Sequence, residues 1–360
     1  MLRSVILGLC ISLLLPMAAA ANSPKVAVDI APVHSLVAQV MAGVGKPDLI
    51  IPPGASPHEY TLRPSEAEAL SRADVVFWVG EQLTPWLESP IENLASNATK
   101  VTLLEVPGVI LHDFREGATF EAHDHHGDED GHDDEHGHDE HGHKDEHDDE
   151  HAHEDHGHDE HGHDEHGHKD EHDDEHAHED HGHDEHHHGE HDPHAWLDPE
   201  NAKIWVKNIA SVLAEEDAAN AATYRSNATK AIASLDAQIA SIRAETKKLH
   251  DIKFIVFHDA YQYFERRFDI QATGAISIAD ATDPSPKRVK EIRDTVTKLG
   301  IHCVFSEPQY NPQMVRTVFE NTEVTTIGVM DPLGVDIEVG QDHYPKMLQA
   351  LVSSITQCQN

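Results

Sequence analysis

Positive charge is scarce in this chain. Its 360 residues hold 26 Lys and Arg against 66 Asp and Glu, a formal net charge of −40. Nucleic-acid binding wants a basic face, so that class of partner is excluded. Long apolar runs are missing as well. Past the N-terminus no stretch approaches the roughly 20 apolar residues that a membrane-spanning helix needs. Cysteine occurs only three times. Close Cys pairs of the zinc-ribbon kind are absent, and no His-Glu-x-x-His spacing appears, which weakens the case for a zinc hydrolase.

The N-terminus has the layout of a secretory signal, assigned to residues 1–21. Arg3 supplies the positive end, Val5 to Leu15 the apolar centre, and Ala18 to Ala21 the small residues for cleavage. Lipid anchoring needs a Cys at the cleavage point. Cys10 instead lies within the apolar run, followed by Ile11 and Ser12. A soluble protein of an oxidising compartment follows, and a periplasm fits best. Export leaves Cys303 and Cys358. An even pair in an exported chain reads as one disulfide, with a Cys metal pair as the alternative. The bridge would tie the C-terminal tail to a buried strand and contribute about 2–4 kcal/mol.

The negative charge is mostly local. Between Glu121 and Asp192 there are 32 Asp and Glu against two Lys, and the rest of the chain carries a net charge of only −10. From His123 to His191 the sequence is His, Asp, Glu and Gly with almost nothing apolar, and it holds 26 of the 34 histidines. Asp134 to His161 is repeated as Asp159 to His186, a period of 25 residues. With no apolar surface to bury, such a segment cannot offset an ordering entropy of about 1–2 kcal/mol per residue. It is expected to be a disordered loop over 121–192. Neutral imidazoles and carboxylates in this density favour cations, so His123 to His191 is an accessory metal-binding candidate.

The remainder suggests two ordinary domains. Val26 to Ile30, Leu49 to Ile51, Val75 to Val79 and Val101 to Val106 read as buried strands, with helices over Ser35 to Ala42 and Ser65 to Ser71. Ser65 and Glu68 have the spacing of a capping box. A helix starts at Pro199. A second helical run, Asp217 to Leu249, lacks Gly and Pro and is long enough to connect two lobes. Strands then resume at Phe254 to Phe257, Ala275 to Ile278, Cys303 to Ser306 and Thr325 to Val329, with a helix over Arg288 to Leu299. The expected architecture is α/β: two similar lobes with largely parallel sheets, joined by a long backbone helix, with a site in the cleft between them. The boundaries are 22–215 for the N-terminal lobe including the loop, 216–249 for the connecting helix and 250–360 for the C-terminal lobe.

Three histidines outside the loop carry chemistry. His58 lies in Pro53-Gly54-Ala55-Ser56-Pro57-His58-Glu59, just after a strand. His194 lies in Asp192-Pro193-His194-Ala195-Trp196-Leu197-Asp198, and His258 directly follows the strand Phe254-Ile255-Val256-Phe257. Ligands of open α/β sheets bind beyond the carboxyl ends of the strands. A lone His there is more often a hydrogen-bonded structural residue. Three beside a cation-binding segment suit zinc, tetrahedral with about 2.0–2.1 Å per nitrogen. Water or a carboxylate would complete the set. Asp331, opening Asp331-Pro332-Leu333-Gly334, is the carboxylate candidate, and a turn or helix cap is its equal alternative. Glu59 is a weaker one.

These segments resemble the zinc-binding, ZnuA-like members of the metal-binding (cluster A-I) solute-binding family of ABC importers. The matching pieces are Gly54-Ala55-Ser56-Pro57-His58-Glu59-Tyr60 with Leu62-Arg63-Pro64-Ser65, then Asp192 to Leu197, then Phe257-His258-Asp259-Ala260-Tyr261 with Glu265. Ser306-Glu307-Pro308-Gln309 and Asp331 to Gly334 complete them. The resemblance implies two α/β lobes with little closure, metal held by His58, His194 and His258, and a Cys303–Cys358 bridge. It implies zinc as the bound ion, no catalysis, and an inner-membrane ABC permease with a cytoplasmic ATPase as partner to a monomeric capture protein. Manganese-type relatives tend to carry a carboxylate where this chain has His258, and nitrogen in place of oxygen favours zinc. Some zinc members place an acid just before the first His, where this chain has Pro57. Three rivals stand beside this reading: a hydrolase using Glu59 or Asp259 as base, a metal buffer or adhesin without a transporter, and a carrier of nickel or copper.

Overall fold

The computed structural model describes residues 23–115, 117, 119–120, 191–249, 251–277 and 285–359. The signal sequence and nearly all of the His-rich segment lie outside the described residues. Four parallel strands form the first sheet: β1 (Val26–Val28), β2 (Asp48–Leu49), β3 (Val75–Trp78) and β4 (Thr99–Thr102), in the order β2-β1-β3-β4. Helices α1 (Ala31–Val40), α2 (Pro64–Ser71) and α3 (Pro85–Leu94) connect them. The central strands are buried along their whole length, as the unbroken apolar runs of a sheet covered on both faces require. At the end of β1, buried Asp29 accepts hydrogen bonds from the backbone N–H groups of Ile30 (2.7 Å) and Val79 (2.6 Å), so it ties the carboxyl ends of β1 and β3 together.

Two helices follow, α4 (Pro199–Glu216) and α5 (Ala221–Thr246). Asp198 caps α4 by accepting from the Glu200 N–H at 2.8 Å. At 26 residues, α5 is about 39 Å long at 1.5 Å per residue. Asn227 near its start donates to the carbonyls of Val40 and Ala42 in the first lobe. Gln238 and Glu245 further along bond Pro345 and Gln349 in the last helix.

The second sheet repeats the first: β5 (Phe254–His258), β6 (Gly274–Ser277), β7 (Cys303–Ser306) and β8 (Thr326–Val329), all parallel in the order β6-β5-β7-β8. Its helices are α6 (Gln262–Phe268), α7 (Pro286–Leu299), α8 (Pro312–Phe319) and α9 (His343–Thr356). Gly300, at φ +61°, ends α7 in the left-handed conformation that glycine supplies without steric cost. Cys303 and Cys358 form a disulfide with Cα atoms 5.6 Å apart, fastening the tail to β7. One continuous apolar core runs through both lobes, and a smaller cluster around Ile255, Ile292 and Val304 lies on one side of the second sheet. Ser35 of α1 donates to the Gln341 carbonyl and accepts from the Tyr344 N–H, which binds α9 to the first lobe.

The structure differs from the sequence expectations in local detail. The fourth strand lies earlier than Val101 to Val106, because Leu103 to Glu105 turn into a 3-10 helix that buries both leucines. Ser65 does not cap α2. Pro64 opens the helix, and Glu66 rather than Glu68 reaches back to the Arg63 N–H at 2.7 Å. The long helix begins at Ala221, not Asp217, because the Asp217 carboxylate takes hydrogen bonds from Asn220 and Tyr224 and holds a turn there. Helices α3, α6, α8 and α9 were not anticipated.

Candidate metal centre

Three separate pieces of backbone bring His58, His194 and His258 to one small pocket at the strand ends. His258 is the last residue of β5, so its position is set by the sheet. His194 precedes the 3-10 turn Ala195–Leu197 that leads into α4. His58 is carried on the loop after β2, where Gly54 at φ +87° allows the turn.

The first two imidazoles are oriented in the same way. His258 Nδ1 donates to Glu307 Oε1 at 2.7 Å, and Glu307 directly follows the neighbouring strand β7. His194 Nδ1 donates to Asp192 Oδ1 at 2.7 Å, and the same oxygen accepts from the His194 N–H at 2.9 Å. All four residues are at most 4% exposed. A carboxylate on Nδ1 sets the tautomer, so Nε2 carries the lone pair, and it raises ligand basicity. The two Nε2 atoms face each other at 3.4 Å. Two nitrogens at that spacing suit a shared cation between them.

His58 is half-buried, and its ring centroid lies 5.6 Å from that of His194. Pro57, just before it, accepts a 2.7 Å hydrogen bond from the Trp86 indole. Among the described residues no three His, Cys, Asp or Glu side chains are drawn into a finished metal cage. The arrangement is two imidazoles in register and a third beside them. Aromatic rings wall the pocket: Trp196 lies 5.2 Å from His194, and Tyr310 lies 5.9 Å from His258 while stacking on Phe257 at 4.4 Å. Tyr261 is fully buried, its ring centroid 6.3 Å from that of His258. Burial pushes its hydroxyl well above its ordinary pKa, reinforced by the charges of Glu307 and Asp331, and it donates to the Met330 carbonyl at 3.0 Å.

Both oxygens of Asp331 are engaged in a turn. Oδ1 accepts from the Leu333 N–H (3.0 Å) and from Gln309 (3.1 Å), and Oδ2 from the Val335 N–H (2.5 Å). Glu59 is exposed. The Asp259 carboxylate, one of the two bases considered for a hydrolase, is held by Arg115. Sequence reasoning passed over the two carboxylates behind the imidazoles. Asp192 and Glu307 were visible in the quoted motifs, but only the strand pairing β5–β7 puts Glu307 behind His258.

Residues 26–358 match the family described as zinc-uptake complex component A, periplasmic. The chain belongs to this family. It is a family of solute-binding components of zinc transport, not of enzymes. The high-affinity zinc uptake system protein ZnuA of Brucella abortus (strain 2308) is 44% identical over 333 residues, covering 92% of this chain and 91% of the relative. The protein of the same name from Paracoccus denitrificans (strain Pd 1222) is 38% identical over 343 residues, covering 94% and 93%. A crystal structure of ZnuA superimposes with a TM-score of 0.66 over 94% of this chain and 100% of that one, at 18% identity. That likeness shows the shared two-lobe fold. No helix among the described residues is long and apolar enough to cross a membrane.

Proposed function

We propose that this periplasmic protein captures zinc with His58, His194 and His258 and delivers it to an inner-membrane ABC permease driven by a cytoplasmic ATPase. The observation that carries the reading is the pair of carboxylate-oriented imidazoles whose Nε2 atoms meet at 3.4 Å. Zinc is the cargo. Neutral nitrogen donors suit it better than they suit manganese or magnesium, and relatives of this chain carry zinc uptake in their names. With Asp331 spent on its turn, water takes the fourth position. Residues 1–21 act as the export signal, and the mature chain works without a lipid anchor as a monomer. The histidines from His123 to His191 add weaker, exchangeable sites that hold zinc near the cleft and lose it as they protonate below about pH 6.5.

Metal analysis and competition titration of the purified full chain test this, alongside His258→Ala and a deletion of 123–191. One tight equivalent of zinc is expected in the parent and in the deletion, and none in His258→Ala. A tight site that survives His258→Ala, or disappears with the deletion, overturns the assignment.

A further inference from the structure

Residues 110–115, which follow the first sheet, reach the second lobe and are anchored there by Arg115. The guanidinium fills a gap between two carboxylates. Its Nε lies 3.0 and 2.9 Å from the two Asp259 oxygens, and Nη2 also contacts Asp259. Nη1 lies 2.6 Å from Glu265 Oε2, and Nη2 lies 3.1 Å from Oε1. The three side chains are 12%, 9% and 3% exposed. Phe120 covers the guanidinium at 3.7 Å, and the Phe120 N–H donates to the Thr273 carbonyl beside β6.

Both ends of this clamp reach the imidazoles from behind. Asp259 follows His258 directly, at the turn from β5 into α6. On α6, Gln262 donates to the Asp113 carbonyl at 2.9 Å and reaches Asp192 Oδ2 at 3.4 Å. The Tyr263 hydroxyl accepts from the His112 N–H and donates to the Asp192 carbonyl at 2.7 Å. Asp192, which orients His194, is hydrogen-bonded through its N–H to the His112 carbonyl, and Asp113 faces His191 across an antiparallel bridge. One short segment therefore braces the β5–α6 turn that follows His258 and the segment Asp192–His194.

Removing the cation leaves two adjacent carboxylates in the interior without compensation, an arrangement far costlier than the pair itself is favourable. Burial already pushes the Glu265 carboxyl upward, and Arg115 is what opposes it. The turn between β5 and α6 has to move to separate or hydrate these groups.

We propose that Arg115 is a positioning residue for the metal centre, clamping the β5–α6 turn to residues 112–115 so that His258 and His194 keep the spacing a single cation needs. This inference rests on the reading of both histidines as ligands.

The test uses the full chain as Arg115→Ala, Arg115→Lys and the triple variant Arg115→Met, Asp259→Asn, Glu265→Gln, which removes the buried charges together. Three quantities are measured: zinc affinity by competition, the visible absorption bands of cobalt(II) bound in the tight site, and thermal unfolding. Arg115→Ala is expected to weaken the tight site by about tenfold or more, the lower end of what outer-shell losses cost, and to alter the cobalt spectrum, with partial recovery in Arg115→Lys. The triple variant is expected to recover unfolding temperature but neither affinity nor spectrum. Parental affinity and spectrum in Arg115→Ala, or their full return in the triple variant, overturn the inference, because Arg115 then only neutralises buried charge. A tight site that persists in His258→Ala overturns the ligand reading and this inference with it, so the two failures are distinguishable.

Discussion

The two lobes share one strand order yet spend equivalent positions differently. In the first lobe the residue beyond β1 is Asp29, a buried carboxylate that accepts backbone N–H groups and staples β1 to the end of β3. In the second lobe the end of β5 carries His258, held by Glu307 from the end of the adjacent strand β7. Both are polar crosslinks between the same two strands of the same topology. One is consumed by the scaffold. The other leaves an imidazole nitrogen aimed at the pocket. The first lobe instead supplies His58 from the loop after edge strand β2 and His194 from the segment that leads into α4. Two imidazoles are thus oriented by carboxylates, and the third, His58, is carried on a loop. Pre-set geometry lowers the ordering cost of binding, so the three positions should not be equal.

Substitution at the pocket should separate the two lobes most sharply. His258→Ala is expected to weaken the tight zinc site by more than the roughly 100-fold upper range of outer-shell losses, and His58→Ala by less than His258→Ala does. Competition titration of the two variants side by side decides it. Equal losses would mean that the loop is as well set as the strand. Glu307→Gln and Asp192→Asn come next, each with a loss of about 10–100-fold in affinity. The tautomer control is removed while the side-chain shape stays, so the unfolding temperature should change far less than the affinity. A loss of affinity only in proportion to lost stability would reduce both carboxylates to scaffold, like Asp29.

Asp29→Asn tests the opposite half. An amide can accept from only one of the two N–H groups and turns its NH2 toward the other, which costs about 1–3 kcal/mol for a buried unsatisfied donor. Zinc affinity should stay at the parental value. The pH dependence has a definite sign. Burial pushes the Asp29 carboxyl up to about 7, against its backbone hydrogen bonds. A raised carboxyl contributes fully below its unfolded value of 3.8 and loses that contribution as pH rises through about 7. The stability gap between parent and variant should therefore be widest at about pH 4 and below, shrink as pH rises to about 7 and stay narrow toward pH 8, as urea unfolding at several pH values would show.

Much of this was legible in the chain. Strands such as Val75–Trp78 and Phe254–His258 are short apolar runs whose period and length admit little else, and Cys303 to Ser306 matches β7 to the residue. His58 and His258 stood out because each follows a strand, and His194 through the motif Asp192-Pro193-His194. Other features depend on partners distant in sequence. Thr99 and Lys100 look like loop residues until β3 pairs with them along an edge. Helix α6 follows the site strand after only three residues and is itself just seven long, too short for a periodic signal. The turn role of Asp331 is local, yet Asp-Pro-Leu-Gly also suits a ligand on a strand end, and only the hydrogen bonds distinguish the two. Arg115 sits 144 residues from Asp259, and no local pattern links them.

The junction between α1 and α9, where Ser35 bonds Gln341 and Tyr344, carries two buried histidines. His34 Nε2 bonds the Pro47 carbonyl at 3.1 Å and His343 Nε2 the Leu333 carbonyl at 2.7 Å, so both rings donate from Nε2. Their Nδ1 atoms are buried without a hydrogen-bond partner among the described residues. Burial holds the His34 imidazole below its usual 6.5, helped by neighbouring His343 and opposed by the Pro47 carbonyl and the charge of Asp48. A depressed histidine contributes stability that is present above 6.5 and lost as pH falls through the lower folded value. Acid should therefore loosen α1 from α9 below about pH 6.5, the opposite sign to Asp29. His34→Gln keeps a donor for Pro47 and cannot titrate, so its stability should fall less steeply between pH 7 and 5 than the parent's. Parallel slopes in thermal unfolding would show that the acid sensitivity of the fold lies elsewhere.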